Sequence, residues 1–102
     1  MKKVISGRLY NTATATLIAD FSYSNSSDFN HVEEGLYKTK KGSYFLAGSG
    51  GPMSKYAVSL GNNATGGSSD IIPLSDDEAR EWCERREVRA DIITSEFEIE
   101  EA

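Results

Sequence analysis

Residues 12–23, TATATLIADFSY, alternate between two kinds of side chain, and that period of two constrains this chain more than any other feature. Ala13, Ala15, Leu17, Ala19, Phe21 and Tyr23 fall on one side, and Thr12, Thr14, Thr16, Asp20 and Ser22 on the other, with Ile18 out of phase. Such a pattern is a β-strand with one buried face. A strand of this kind needs paired neighbours for its backbone and a cover for its apolar side.

Neighbours are legible in three places. KKVISGRLYN reads as a short strand, a turn at Gly7 and entry into a second segment. GLYKTKKGSYFLA, residues 35–47, reads as a hairpin turning at Lys41-Gly42. A two-residue turn there sets Thr39 opposite Tyr44, Lys38 opposite Phe45 and Tyr37 opposite Leu46, so that Tyr37, Thr39, Tyr44 and Leu46 share a face. Ile71, Ile72 and Leu74 read as a short buried strand, and Pro73 marks it as an edge or a strand end. The polar loop 24–31 is expected to be anchored to the body by Phe29.

The cover comes from the helix that follows. Ser75-Asp76-Asp77-Glu78 has the spacing of a capping box, with acidic residues in the first turn where the helix dipole favours them. Ala79, Trp82, Cys83 and Val88 form one apolar stripe, and Asp76–Arg80 and Glu81–Arg85 are spaced as i,i+4 ion pairs. The spacing predicts a helix over 76–88. The expected fold is α+β: a small twisted antiparallel sheet of four to five strands with one C-terminal helix packed on it. Residues 1–90 read as the domain and 91–102 as an acidic C-terminal tail, whose sequence suits a strand and a helical turn equally.

Six of the nine glycines fall in residues 48–69, GSGGPMSKYAVSLGNNATGGSS. This stretch matches neither the dinucleotide fingerprint nor the phosphate loop, because the glycine and lysine spacings fail. Ser49 in AGSGG lacks the histidine that a nucleophile elbow places after its serine, since the sole histidine, His31, precedes it. A structureless loop of 20 residues is improbable in a domain of this size. Ser54, Tyr56, Val58 and Leu60 alternate inside MSKYAVSL, so two glycine hinges, 48–51 and 61–67, are expected to bracket a strand.

One cysteine, Cys83, excludes an intrachain disulfide, and with one histidine the common zinc patterns fail. Neither cofactor nor metal is expected, and Cys83 reads as a buried structural residue. No apolar run reaches the roughly 18 residues of a membrane span, and the chain reads as cytoplasmic. Asn25 and Asn63 head N-x-S/T sequons, which carry no meaning in that setting. Charge is uneven. Residues 1–69 carry seven Lys/Arg against four Asp/Glu, a net of +3, and residues 70–102 carry four Arg against twelve Asp/Glu, a net of −8.

The LYKTKKG hairpin, its aromatic pair, the Gly-Gly-x-x-S-K-Y loop and the IIPLS-x-x-E-A helix start together resemble small proteins of phages and integrative elements of Gram-positive bacteria. Some of those are anti-CRISPR or other anti-defence factors. The resemblance covers roughly residues 1–87 and implies a non-enzymatic inhibitor that binds a host protein, with a CRISPR effector or similar nucleic-acid-guided nuclease as the expected partner. Charge assigns the contact to Asp76, Asp77, Glu81, Glu84, Glu87, Glu98 and Glu100, which would enter a basic cleft as phosphates do. The alternative is a small nucleic-acid-binding accessory module using Tyr37, Lys38, Lys40, Lys41, Lys55 and Tyr56, a mixture of cations and aromatics that suits single strands.

Overall fold

The computed structural model describes residues 1–25, 27–62 and 64–102, so the Asn63 sequon lies outside the described residues. The KKVISGRLYN segment forms a hairpin turning at Ser6-Gly7: β1 (Lys2–Ile5) pairs antiparallel with β2 (Arg8–Asn11). Its turn residues Ser6 and Gly7 have φ of 51° and 76°, the pair of positive values that matches the twist of a tight hairpin. Three longer strands follow: β3 (Thr16–Tyr23), β4 (Val32–Lys38) and β5 (Tyr44–Gly50). The glycine-rich excursion carries a small hairpin, β6 (Val58–Gly61) and β7 (Ala64–Gly66), and then β8 (Ser68–Leu74) returns to the sheet. The main sheet is antiparallel with order β3-β4-β5-β8, and β8, with Pro73, is the edge strand. Two helices end the chain, α1 (Asp76–Arg85) and α2 (Ala90–Glu96).

Both faces of the sheet are covered. Leu36, Leu46 and Ile72 lie opposite one another across β4, β5 and β8, as do Tyr44 and Leu74 on β5 and β8. With Ile18, Ala19 and Phe21 they receive Ala79, Trp82 and Cys83 of α1, all three fully buried. The opposite face holds Phe45 and Ile71, capped by Tyr10 of β2 and flanked by Ile5, Ala15, Tyr37 and Ala47. Burying such side chains is the main stabilisation available to a chain of this length. The capping box forms as spaced, with Ser75 accepting from the Glu78 amide and the Glu78 carboxylate accepting from the Ser75 amide.

Several expectations are corrected. The strand read from residue 12 starts at Thr16, and residues 12–15 turn back on Asn11, whose carbonyl accepts from the Thr14 and Ala15 amides. Ile18, out of phase in the sequence, sits at a bulge: the register jumps between Leu17 and Ala19. The extra residue sends Leu17 to the Tyr37 face while Ala19 and Phe21 stay on the Leu36 face. The β4–β5 turn holds three residues, closed by Thr39 and Ser43, with Gly42 at φ 89°. Lys38 therefore opposes Tyr44 and Tyr37 opposes Phe45. One residue of register moves Tyr37 to the face opposite Tyr44 and Leu46.

Helix α1 ends at Arg85, not 88, where Glu87 takes a positive φ of 54°. In place of Asp76–Arg80 and Glu81–Arg85, Arg80 bridges Glu84 at 2.9 Å and approaches Asp77 at 3.9 Å. The single expected helix is joined by α2, so the stretch read as an acidic tail contains a helix whose Ile93, with Phe97 just beyond it, packs on the core. Gly48 and Gly50 belong to β5 rather than to a hinge, and the inner strand is shorter than expected, with residues 54–57 in a turn before β6. Phe29 is exposed; its carbonyl, accepting from the Met53 amide, ties the loop down instead. Among the described residues no helix is long and apolar enough to cross a membrane.

Candidate functional site

Alternation along β4 puts Glu34 on the same face as Leu36, beneath α1. Its side chain is fully buried. Trp82 and Arg86 lie one helical turn apart and reach the same carboxylate oxygen: Trp82 Nε1 and Arg86 Nη2 each donate to Glu34 Oε1 at 3.0 Å. The Arg86 guanidinium lies over the Phe21 ring, 4.0 Å from its centroid. Oε2 accepts from the Tyr56 hydroxyl at 2.6 Å and from Lys55 Nζ at 2.5 Å. Burial pushes the Glu34 carboxyl up, but the hydrogen bonds from Lys55, Tyr56 and Trp82 outweigh it and hold it at about 2. Burial, then Glu34 itself, pushes the Tyr56 hydroxyl well above its ordinary range. A carboxylate with four donors and so low a proton affinity is a fixed anion that ties β4, α1 and the 51–57 segment together.

A second, shallower node docks α2. Glu96 Oε1 accepts from the Tyr44 hydroxyl at 2.7 Å and pairs with Lys38 Nζ at 2.8 Å. Burial works to raise the Glu96 carboxyl; the bonds from Lys38 and Tyr44 prevail and lower it. Phe97 packs on the Tyr44 ring with centroids 5.3 Å apart.

These nodes divide the residues marked out by sequence. Tyr37 stacks on Phe45 at 5.4 Å and 15°, within the core face that Tyr10 caps. Tyr56 is buried, Lys55 is spent on Glu34 and Lys38 on Glu96. Lys40 and Lys41, at the β4–β5 turn, are exposed. The Lys/Tyr set is thus distributed over both faces and the turn, and does not form one surface. Asp76, Asp77, Glu81 and Glu84 of α1 are all exposed, as are Glu87, Glu98 and Glu100. An open groove lined by Lys38, Tyr44, Asp76, Asp77, Glu96 and Glu98 joins the start of α1 to the segment after α2. Ser49 lies within β5 opposite Ser69. His31 Nδ1 is 2.7 Å from the Asp28 carbonyl, and Cys83 is buried, where burial raises its thiol.

Compared with family models, with curated proteins and with solved structures, the chain matches none. Function must therefore be argued from its own surface.

Sequence reasoning passed over Glu34 and Arg86. The signal was present in the alternation Val32, Glu34, Leu36, which puts an acid on the buried side of a strand, and in the four-residue spacing of Trp82 and Arg86.

Proposed function

We propose that the protein is a non-enzymatic binding protein that inserts its acidic face into a basic groove of a host protein, with a nucleic-acid-guided defence nuclease as the candidate partner. The observation that carries this reading is the division of labour among carboxylates. Glu34 and Glu96 neutralise cations within the fold. Among the described residues Asp76, Glu81, Glu87, Glu98 and Glu100 form no ion pair, Asp77 has only the 3.9 Å approach of Arg80, and all are exposed. Helix α1 is fixed to the sheet by Trp82 and by Arg86, so Asp77, Glu81 and Glu84 project from a rigid element. Carboxylates held in this way imitate a phosphate row and speed encounter with a positive cleft. The partner class rests on the resemblance of residues 1–87 to small phage and integrative-element proteins, some of which are anti-defence factors.

The triple variant Asp77→Lys, Glu81→Lys, Glu84→Lys tests it. With purified RNA-guided nucleases, the wild-type chain is expected to suppress target cleavage by at least one, and the variant to lose potency by more than about 100-fold, since like charges facing a basic cleft cost several kcal/mol. Its melting curve should move little, because exposed charges on α1 contribute about 1 kcal/mol or less each. A variant as potent as wild type removes the acidic face from the mechanism, and failure of the wild-type chain against the whole set of nucleases removes the partner class.

A further inference from the structure

The β1–β2 hairpin covers Phe45, and its turn end meets the β4–β5 turn along a groove that the acidic face does not reach. Arg8 lines this groove from the hairpin; Lys40, Lys41, Thr39 and Ser43 line it from the turn, with Thr14 between. Among the described residues no Asp or Glu lines it. The chain carries 16 Asp/Glu against 11 Lys/Arg, so an unpaired cation is unexpected. Lys3, Lys38, Lys55, Arg80, Arg86 and Arg89 all have acidic partners. Among the described residues that leaves Lys2, Arg8, Lys40, Lys41 and Arg85, and three of those five line this one groove.

We infer that the groove grips the phosphodiester backbone of a single-stranded nucleic acid. Beside Leu9, Tyr10 and Asn11, the lining supplies ammonium, guanidinium and hydroxyl donors, the chemistry of phosphate recognition, with Arg8 offering a planar fork and the lysines point charges. The single strand follows from what surrounds the groove. Gly42, the residue after Lys41, lines the acidic groove that contains Asp76, Asp77 and Glu98. A duplex or an acidic protein surface broad enough to cover Lys40 and Lys41 would meet those carboxylates, whereas one strand lying along the groove avoids them. Tyr10 also lines the groove but is buried against Phe45, and Tyr37 is stacked on Phe45, so among the described residues no exposed aromatic platform there reads bases, and the grip is indifferent to sequence. This inference stands without the acidic-face reading; joined to it, it makes the partner a nucleoprotein that offers both a basic cleft and a strand.

The test is fluorescence anisotropy of a labelled oligothymidylate 20-mer with the full chain. Contacts to about three phosphates give a slope near −2 in log affinity against log salt, which is about 20-fold between 50 and 200 mM. Arg8→Glu, and Lys40→Glu with Lys41→Glu, should each weaken binding at least about tenfold. Lys2→Glu makes the same charge change as Arg8→Glu but outside the groove, and should alter affinity less than about twofold. Circular dichroism establishes that each variant is folded. Equal losses for Lys2→Glu and Arg8→Glu would falsify the groove as the site. Tighter binding of duplex DNA or of labelled polyglutamate, affinity for inorganic polyphosphate equal to that for the oligonucleotide, or no binding at 50 mM salt would each overturn the assignment.

Discussion

Glu34→Gln is expected to destabilise the protein by about 3–5 kcal/mol, the range for breaking a buried ion pair from one side. A chain of 102 residues has a total stability of about 5–15 kcal/mol, so the variant sits near the edge of folding. Glutamine keeps the shape of the side chain but not its chemistry. Each oxygen of Glu34 faces two donors, Trp82 with Arg86 on one side and Tyr56 with Lys55 on the other. An amide presents NH2 to one of those pairs, so donors meet donors, and it carries no charge to offset Arg86 or Lys55. Urea unfolding followed by the fluorescence of Trp82, the sole tryptophan, measures the loss directly. A shift equivalent to less than about 1 kcal/mol would show that the carboxylate is dispensable. Lys55→Met should cost far less, about 1 kcal/mol or below, because the Lys55 side chain is 43% exposed and water screens its charge.

The same carboxylate sets an acid dependence with a definite sign. Its folded proton affinity is depressed to about 2 from an ordinary 4.5. A depressed carboxylate contributes stability that is complete above about 4.5 and is lost as pH falls toward 2. Integrated over that window the contribution is about 3 kcal/mol. Glu96 and Asp70 are lowered too and add to the acid loss of the wild-type chain. The difference between wild type and Glu34→Gln removes their share. That difference should be constant from pH 7 to about 5 and shrink steadily below it, and a difference independent of pH down to 2 would contradict a charged Glu34 in the folded state.

The elements that proved legible are those whose signal is local. Ser75 and Glu78 bond one another across a single helical turn, so their spacing alone specifies the cap. Ile18, out of phase in the alternation, left a local mark at the place where the structure has a bulge, though that mark alone did not predict one. The β4–β5 register was not local in that sense. Lys40-Lys41-Gly42 accommodates a two-residue and a three-residue turn alike, and the choice is made by burial: Leu36 opposite Leu46 closes the α1 face, and Tyr37 opposite Phe45 closes the other. That choice decided the fate of the Lys/Tyr set, since it sent Tyr37 into the core beside Phe45. The acidic residues of α1 are exposed because the Ala79, Trp82 and Cys83 stripe turns the other side of the helix to the sheet. Glu34 was hidden because its partners come from positions 55, 56, 82 and 86, a set that only the tertiary fold assembles.

Gly48→Ala should cost about 2–4 kcal/mol, a large effect for one methyl group. Gly48 is not needed for its backbone, since only Gly7, Gly42 and Gly61 among the described glycines have positive φ. It is needed for space. Gly48 pairs with Glu34 across β4 and β5, and a Cβ built on it overlaps the Tyr56 hydroxyl and ring. Tyr56 reaches Glu34 by lying across this glycine. The methyl group must expel the ring, which leaves Glu34 Oε2 with Lys55 as its one remaining donor and pulls on the segment held by Ser54 Oγ at the Tyr56 amide and by Ser68 Oγ at the Tyr56 carbonyl. A double-mutant cycle separates this from a general dislike of alanine in β5. Once Tyr56→Ala has emptied the space, adding Gly48→Ala should be neutral or stabilising by about 0.5 kcal/mol, because alanine restricts the unfolded chain. The two changes should therefore couple by about 2 kcal/mol or more. Additive costs would mean that Tyr56 does not cross Gly48.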